Sequence, residues 1–216
     1  MKFKNVLFDL DGTLTESAPG IINSTKYALS EMGFDIPDDR VLEKFVGPPL
    51  VESFQKYCGM SASEAEEALK LYRVYFKDKG IFENSPYDGV SDMLKDLKNA
   101  GMGIYLATSK PEVFATRIIE HFCLSSYFDG VKGASMDGSF HEKKDVIAAV
   151  LRENALSAED CVMIGDRLHD VRGAKACGVF SIGVLYGYGG EKELREAGAD
   201  LVLSSPAEVV KAILGE

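Results

Sequence analysis

No run of apolar residues in this sequence approaches the ~20 that a membrane-crossing helix requires. The opening stretch, MKFKNVLFDLDGTL, has only a short apolar run broken by acids. A cytoplasmic protein without a membrane partner is the expectation. Cysteine is scarce: Cys58, Cys123, Cys161 and Cys177 lie far apart and form no C-x-x-C pair, which excludes a zinc knuckle and a small disulfide framework. Free, buried thiols in a reducing compartment are expected instead. Histidine is scarcer still. His121, His141 and His169 show no metal-ligand spacing, and His169 reads as a surface or helix-start residue. Basic residues are outnumbered, 24 against 34 acidic ones, for a net charge of -10. A nucleic-acid polymer is therefore a poor partner, whereas a small anion is allowed wherever positive charge is gathered locally. Low-complexity segments and internal repeats are absent. Gly187, Gly189 and Gly190 make no G-x-G-x-x-G after a first strand, so a dinucleotide site is not expected and the run reads as a loop at the sheet's edge.

What is present is a chain of 216 residues, 46% hydrophobic and 27% charged, long enough for one ordinary domain with a smaller one attached. Short apolar runs alternate with segments of helical period. The runs are Val6 to Leu10, Gly103 to Ala107, Cys161 to Ile164, Phe180 to Leu185 and Asp200 to Leu203, with Phe128 to Ala134 as a further candidate. Their near-continuous hydrophobicity suits parallel strands covered on both faces, which predicts a Rossmann-like three-layer α/β core over 1–16 and 85–216. Residues 17–84 break the alternation, offer no good strand, and predict an inserted bundle of about four helices. Gly20 to Met32 and Ser61 to Phe76 carry apolar residues at helical spacing, and Ser63 stands three before Glu66 as in a capping box. Gly47-Pro48-Pro49 separates two further helices. The insertion leaves and re-enters near the end of the first strand, where open α/β sheets bind ligands, so it is expected to act as a lid.

The residue pattern with chemical content begins at the end of the first run, Asp9-Leu10-Asp11-Gly12-Thr13-Leu14. Strand alternation sends Asp9 and Asp11 to one side and Leu10 to the other. Carboxylates this close repel unless a cation or hydrogen-bonding partner is present, and Mg2+ is the hard, oxygen-seeking ion suited to them. Gly12 permits a tight turn and a close approach to a ligand. Thr108-Ser109-Lys110 follows the second run and Gly165-Asp166-Arg167-Leu168-His169-Asp170 follows the third, both at the carboxyl ends of parallel strands. Lys143 and Lys144 open a helical run at the end where the helix dipole disfavours cations, which is explained by an anion that one of them must meet.

Together, DLDGT, a strand ending in Thr108, Lys143 and GDRLHD resemble the four-part signature of the haloacid dehalogenase superfamily, over nearly the whole chain. The insertion resembles that superfamily's C1 cap. FVGPPL, Lys143-x-Asp145-Val146-Ile147, GDRLHD and GVLYGYG are similar to its phosphoglycolate phosphatase-like and 5'-nucleotidase-like branch. The resemblance implies a Mg2+-dependent phosphatase acting on a small phosphorylated metabolite through an aspartyl-phosphate. It implies Asp9 as nucleophile, Asp11 as general acid and then base, and Lys143 as the neutralising ammonium. Gly12, Thr108 and the Ser109 amide would contact the phosphate. Mg2+ would be held by Asp9, the Asp11 carbonyl and Asp166, with Asp170 in support. Lys44 and Phe45, beside the Gly47-Pro48-Pro49 turn, are the candidate lid contacts to the substrate. Two positions depart from the pattern: Lys144 stands where Pro is common, which opens a choice between the two lysines that the spacing to Val146 and Ile147 tips toward Lys143, and Glu16 stands where Asp is usual. The same residues would serve a phosphosugar mutase, although Thr13 is more typical of the phosphatases. Dehalogenation has no need of Asp11, and a catalytically dead binding protein would have no need to retain the carboxylates and lysine.

Overall fold

The apolar runs become strands wherever β-rich residues can be covered on both faces. The computed structural model describes residues 3–215. Chain order is β1 (Asn5–Phe8), β2 (Thr15–Glu16), α1 (Ala18–Glu31), α2 (Asp39–Leu42), α3 (Leu50–Cys58), α4 (Ala62–Asp78), β3 (Ser85–Pro86), α5 (Val90–Asn99), β4 (Gly103–Pro111), α6 (Glu112–His121), β5 (Gly130–Ala134), α7 (Lys143–Glu153), β6 (Cys161–Gly165), α8 (Leu168–Ala176), β7 (Phe180–Val184), α9 (Glu191–Ala197), β8 (Leu201–Leu203) and α10 (Pro206–Leu214). Among the described residues, no helix is long and apolar enough to cross a membrane.

Two compact units divide the chain, one running up to Thr15 and from Pro86 onward, the other Glu16–Ser85. The first is built on a six-stranded sheet in the order β5-β4-β1-β6-β7-β8, every pairing parallel. Strand order runs outward from β1 through β4 to β5 and then returns to β6 on its other side. β1 is therefore the place where the winding reverses, and right-handed crossovers put α5 and α6 on one face and α7 and α8 on the other. Leu7, Tyr105, Ala107, Cys161 and Met163 form one buried cluster with Val146, Ile147 and Val150 of α7 and Ala174 of α8. The sheet is thus covered on the α7 and α8 side by residues of odd number on β1, β4 and β6, as period-two alternation requires.

The second unit is helical, with α1 and α3 packed on α4. Its core is strongly aromatic: Phe45 lies 5.2 Å from Phe54 and 5.7 Å from Tyr57, and Tyr72 stacks on Phe76 at 5.3 Å between ring centroids. The Pro48-Pro49 pair separates the short 3-10 turn Glu43–Phe45 from α3, as expected of residues that cannot continue a helix. α4 begins two residues before the capping box anticipated at Ser63 and Glu66. Ser61 is the N-cap, its Oγ accepting from the Glu64 amide, while the Glu64 carboxylate accepts from the Ser61 amide at 2.8 Å. The thiols also differ from expectation: Cys161 is buried, Cys58 and Cys177 are half-buried and Cys123 is exposed, all four free.

Candidate active site

β1 ends as a strand at Phe8, but the Asp9 amide still donates to the Ile164 carbonyl at 2.9 Å. Alternation therefore carries one step further, and the Asp9 carboxylate follows Leu7 toward the face that α7 and α8 cover. There it meets Lys143, the first residue of α7. Lys143 Nζ lies 2.8 Å from Asp9 Oδ1 and 2.8 Å from Asp170 Oδ1, at ion-pair distance though off the directions of a good hydrogen bond. It also donates to the Ala107 carbonyl at 3.0 Å. All three ionic side chains are buried. Lys144 points elsewhere, exposed and 2.8 Å from the Glu142 carboxylate. Lys143 shares the buried side of α7 with Val146 and Ile147, three and four residues on, and helical period thus decides which lysine turns inward.

Asp166 follows β6 directly. One of its oxygens, Oδ2, accepts from the Tyr188 amide at 2.7 Å, and the other lies 3.4 Å from the Thr13 hydroxyl. Asp170, in the first turn of α8, accepts from the Arg167 amide at 3.0 Å. Gly165 leaves the space that its side chain fills, because a Cβ there would overlap the Asp170 carboxyl. Carboxylate oxygens of Asp9, Asp166 and Asp170 all lie within 4.8 Å of one another.

Three buried carboxylates around one ammonium are electrostatically short of positive charge. Burial pushes the Asp9 carboxyl up to about 6, since the pull of Lys143 is only partly effective against it and the Asp170 and Asp11 charges push the same way as burial. Burial likewise raises Asp166 well above the usual carboxylate range, with the Asp170 and Asp9 charges adding to it. Lys143 responds oppositely: burial would lower it, but Asp170 and Asp9 together hold it above its ordinary value. A hard divalent cation supplies what this set lacks, namely charge in a nest of carboxylate oxygens, and the donor set suits Mg2+.

On the neighbouring strand a register shift opens the second part of the site. The step from Ala107 to Pro111 on β4 spans the shorter step from Lys132 to Ala134 on β5, which lifts Thr108, Ser109 and Lys110 out of the ladder as a bulge. Thr108 is buried and its Oγ1 accepts from the Lys110 amide at 3.2 Å; Ser109 is partly buried. Asp11 does not stay beside Asp9 as strand alternation would place it. The chain has already turned, with Gly12 at φ 83°, and the Asp11 carboxylate is held by Lys110 Nζ at 3.0 and 2.9 Å to its two oxygens. The two acids of DLDGT thus have separate cationic partners.

The Gly187-Tyr188-Gly189 stretch, read from sequence as an edge loop, belongs to the site instead. A Cβ on Gly187 would overlap the Gly12 carbonyl and the Asp166 side chain, and one on Gly189 would overlap the Asp166 carbonyl. Gly12 has no room either, its Cβ position lying against the Asp166 carboxylate and the Tyr188 ring. The two glycine turns interlock around Asp166, and only backbones without side chains approach this closely. Lys110, Gly165 and this loop were not assigned roles from sequence. The signals were Lys110's place in Thr108-Ser109-Lys110 and the clustered glycines of GVLYGYG. His169 is exposed in the first turn of α8, as anticipated.

The remaining sequence candidates lie in the helical unit. Lys44 is exposed, its Nζ 5.7 Å from the Tyr57 ring centre. Phe45 is 1% exposed within the aromatic core, which makes it a packing residue and corrects its assignment as a substrate contact.

Comparison with known proteins identifies the family of the chain. The family of haloacid dehalogenase-like hydrolases matches residues 6–184. A 5'-nucleotidase of Pseudomonas aeruginosa is 44% identical over 195 residues, covering 90% of this chain and 88% of that one. The tyrosine-protein kinase PtkA of Mycobacterium tuberculosis is 44% identical over 184 residues, covering 85% of this chain but 62% of its own length. A crystal structure of a predicted phosphatase from Clostridium acetobutylicum superposes with a TM-score of 0.95 at 46% identity, both chains covered in full. The chain belongs to the haloacid dehalogenase-like hydrolase family, among that family's phosphatases, which are phosphoric monoester hydrolases.

Proposed function

We propose that this protein hydrolyses a small phosphate monoester with Mg2+, through a phosphorylated Asp9. The observation that carries the reading is the cluster of Asp9, Asp166 and Asp170, whose carboxylate oxygens lie within 4.8 Å of one another, with the buried ammonium of Lys143 2.8 Å from both Asp9 and Asp170. Mg2+, held by Asp9, the Asp11 carbonyl and Asp166 with Asp170 in support, would supply the positive charge that phosphoryl transfer draws on. The chain's own residues do the rest. Asp9 forms a bond to phosphorus as the ester P–O bond breaks, and Lys143 offsets charge on the phosphoryl oxygens and on the nucleophile. Gly12, Thr108 and the Ser109 amide hold those oxygens. Asp11 gives its proton to the departing alkoxide, then takes one from the water that cleaves the aspartyl-phosphate. Residues 16–85 are proposed as a C1 cap whose Lys44 helps to select the leaving group. The bacterial 5'-nucleotidase and the phosphoglycolate phosphatases among the relatives point to nucleoside 5'-monophosphates and phosphoglycolate as first candidates, with sugar phosphates as a further class to test. Cytoplasmic location fits such substrates.

The test is a panel of these monoesters with purified protein, with Mg2+ and with EDTA, accompanied by acid-quench trapping of a phosphoryl-enzyme sensitive to hydroxylamine. Turnover that needs Mg2+ and passes through that adduct is expected. Metal-independent turnover, or turnover without the adduct, would remove the reading. A product in which the phosphoryl group reappears on another carbon of a sugar would replace it with a mutase.

A further inference from the structure

Lys110 is the one buried cation that the proposed chemistry leaves without a task. Its side chain is 6% exposed, and its ammonium donates to both oxygens of the Asp11 carboxylate, at 3.0 and 2.9 Å. An ammonium taken out of water in this way is costly unless a charged partner faces it, and a carboxylate gripped through both oxygens loses most of its rotational freedom. The backbone reinforces the grip. Lys110 stands on the β4 bulge and its amide is tied to Thr108 Oγ1, while Asp11 is pinned by its bridge to Thr15 and by the Gly12 amide donating to the Thr15 carbonyl at 2.8 Å. Two rigid turns from different strands therefore present a cation and an acid to each other.

We infer that Lys110 is a positioning residue that holds the Asp11 carboxyl where it can deliver a proton to the leaving oxygen. This rests on the phosphatase reading and deepens it. Lys110 touches neither the phosphoryl group nor the nucleophile in this account. In the first step the Asp9 oxygen-phosphorus bond forms, the ester P–O bond breaks, and the proton that Asp11 carries in the substrate-bound enzyme moves to the alkoxide, leaving the carboxylate that is paired with Lys110 in this structure; in the second step Asp11 takes a proton from the attacking water, which restores the acid for the next turnover.

A leaving group that needs a proton should feel the loss of Lys110, and one that leaves unaided should not. Phosphoryl-enzyme formation is measured by quench-flow with an alkyl phosphate that the parent hydrolyses and with p-nitrophenyl phosphate, for the parent, Lys110→Met, Asp11→Asn and the double variant. Lys110→Met should slow formation from the alkyl ester roughly 100-fold, the scale of a misplaced catalytic group. From p-nitrophenyl phosphate it should slow it by less than about threefold, with a burst of p-nitrophenolate preceding a slower steady state. In the Asp11→Asn background, Lys110→Met should add almost nothing, because the two act as one unit. Should the methionine variant lose its folded circular dichroism spectrum, Lys110→Gln, which keeps an uncharged NH2 donor, is judged by the same ratio. Equal slowing for both esters would overturn the inference and assign Lys110 to the phosphate or to the fold. Faster formation from the alkyl ester would also overturn it, by showing the pair to be a restraint. Discrimination by Asp11→Asn without discrimination by the Lys110 variants leaves the phosphatase reading standing and defeats this inference alone. No turnover of any ester by the parent defeats both.

Discussion

The two units of this protein bury different kinds of polar group. In the α/β unit the described buried set includes five ionisable side chains, Asp9, Lys110, Lys143, Asp166 and Asp170; in the helical unit it consists of the hydroxyls Ser17, Ser24, Thr25 and Ser53. A hydroxyl on a helix can be satisfied locally, and two of these are: Ser24 and Thr25 donate to carbonyls one turn back, at 2.6 and 2.9 Å. Buried charges can only be satisfied by other parts of the chain, and here Lys143 and Asp170 come from helices that follow different strands. The lesson is that one unit is organised around an electrostatic deficit while the other is organised around ring packing. A cluster of buried, charge-deficient carboxylates is what makes this part of the molecule the candidate active site.

This comparison is most strongly tested at its two centres. Asp9→Asn should lower turnover on the order of 10⁴-fold or more while leaving the fold intact, and beryllofluoride with Mg2+ should modify the parent only. Substantial turnover by the Asn variant would return Asp9 to the ranks of structural residues. Phe45→Ala should do the reverse, costing about 3 to 5 kcal/mol in urea unfolding through the cavity it opens among Phe54 and Tyr57. A loss below 1 kcal/mol would show that this ring is not part of the unit's core.

The charge deficit itself has a pH signature. Asp9 is raised in the folded protein to about 6 from an ordinary value of 3.8. The folded state thus binds a proton more tightly than the unfolded one, and in EDTA stability should rise as pH falls through 6 toward 4, by up to about 3 kcal/mol. Mg2+ favours the ionised carboxylate and should flatten or reverse this trend. A metal-free protein whose urea midpoint fell steadily over the same range would contradict the deficit. The subtlest test separates two neighbouring glycines. Gly187→Ala places a methyl group against the Gly12 carbonyl and Asp166, and should weaken Mn2+ binding, read by electron paramagnetic resonance, at least roughly tenfold. Gly190→Ala meets nothing within 4 Å and should bind Mn2+ like the parent. Equal affinities would return the loop to the role of an edge connection.

Much of the site was legible because its parts are local. Asp9 and Asp166 each stand at the carboxyl end of a strand, Lys143 opens a helix, and Asp170 sits one helical turn beyond Asp166; these are placements that residue spacing reports directly. The strands were legible for the same reason, although β1, β5, β7 and β8 proved shorter than their apolar runs and β4 longer. What misled was any feature whose meaning depends on a distant segment. Ser63 and Glu66 satisfy the capping pattern as well as Ser61 and Glu64 do, and the choice between them depends on which face of α4 must be buried. Phe45 beside an exposed lysine has the sequence appearance of a lid contact, yet the rings of Phe54 and Tyr57 claim it. The Gly187-Tyr188-Gly189 loop looks like an ordinary turn until Asp166 is seen inside it.

The sequence by itself determined the alternation of strands and helices, the helical insertion and the family, because period, turn chemistry and the four motif pieces are written within short stretches of chain. Only the tertiary structure decided that Asp11 pairs with Lys110 and that two glycine turns close on Asp166. The physical reason is that a buried charge is stable only beside its partner. The partners here lie up to 134 residues apart, from Asp9 to Lys143, and are brought together by a parallel sheet whose winding reverses at β1.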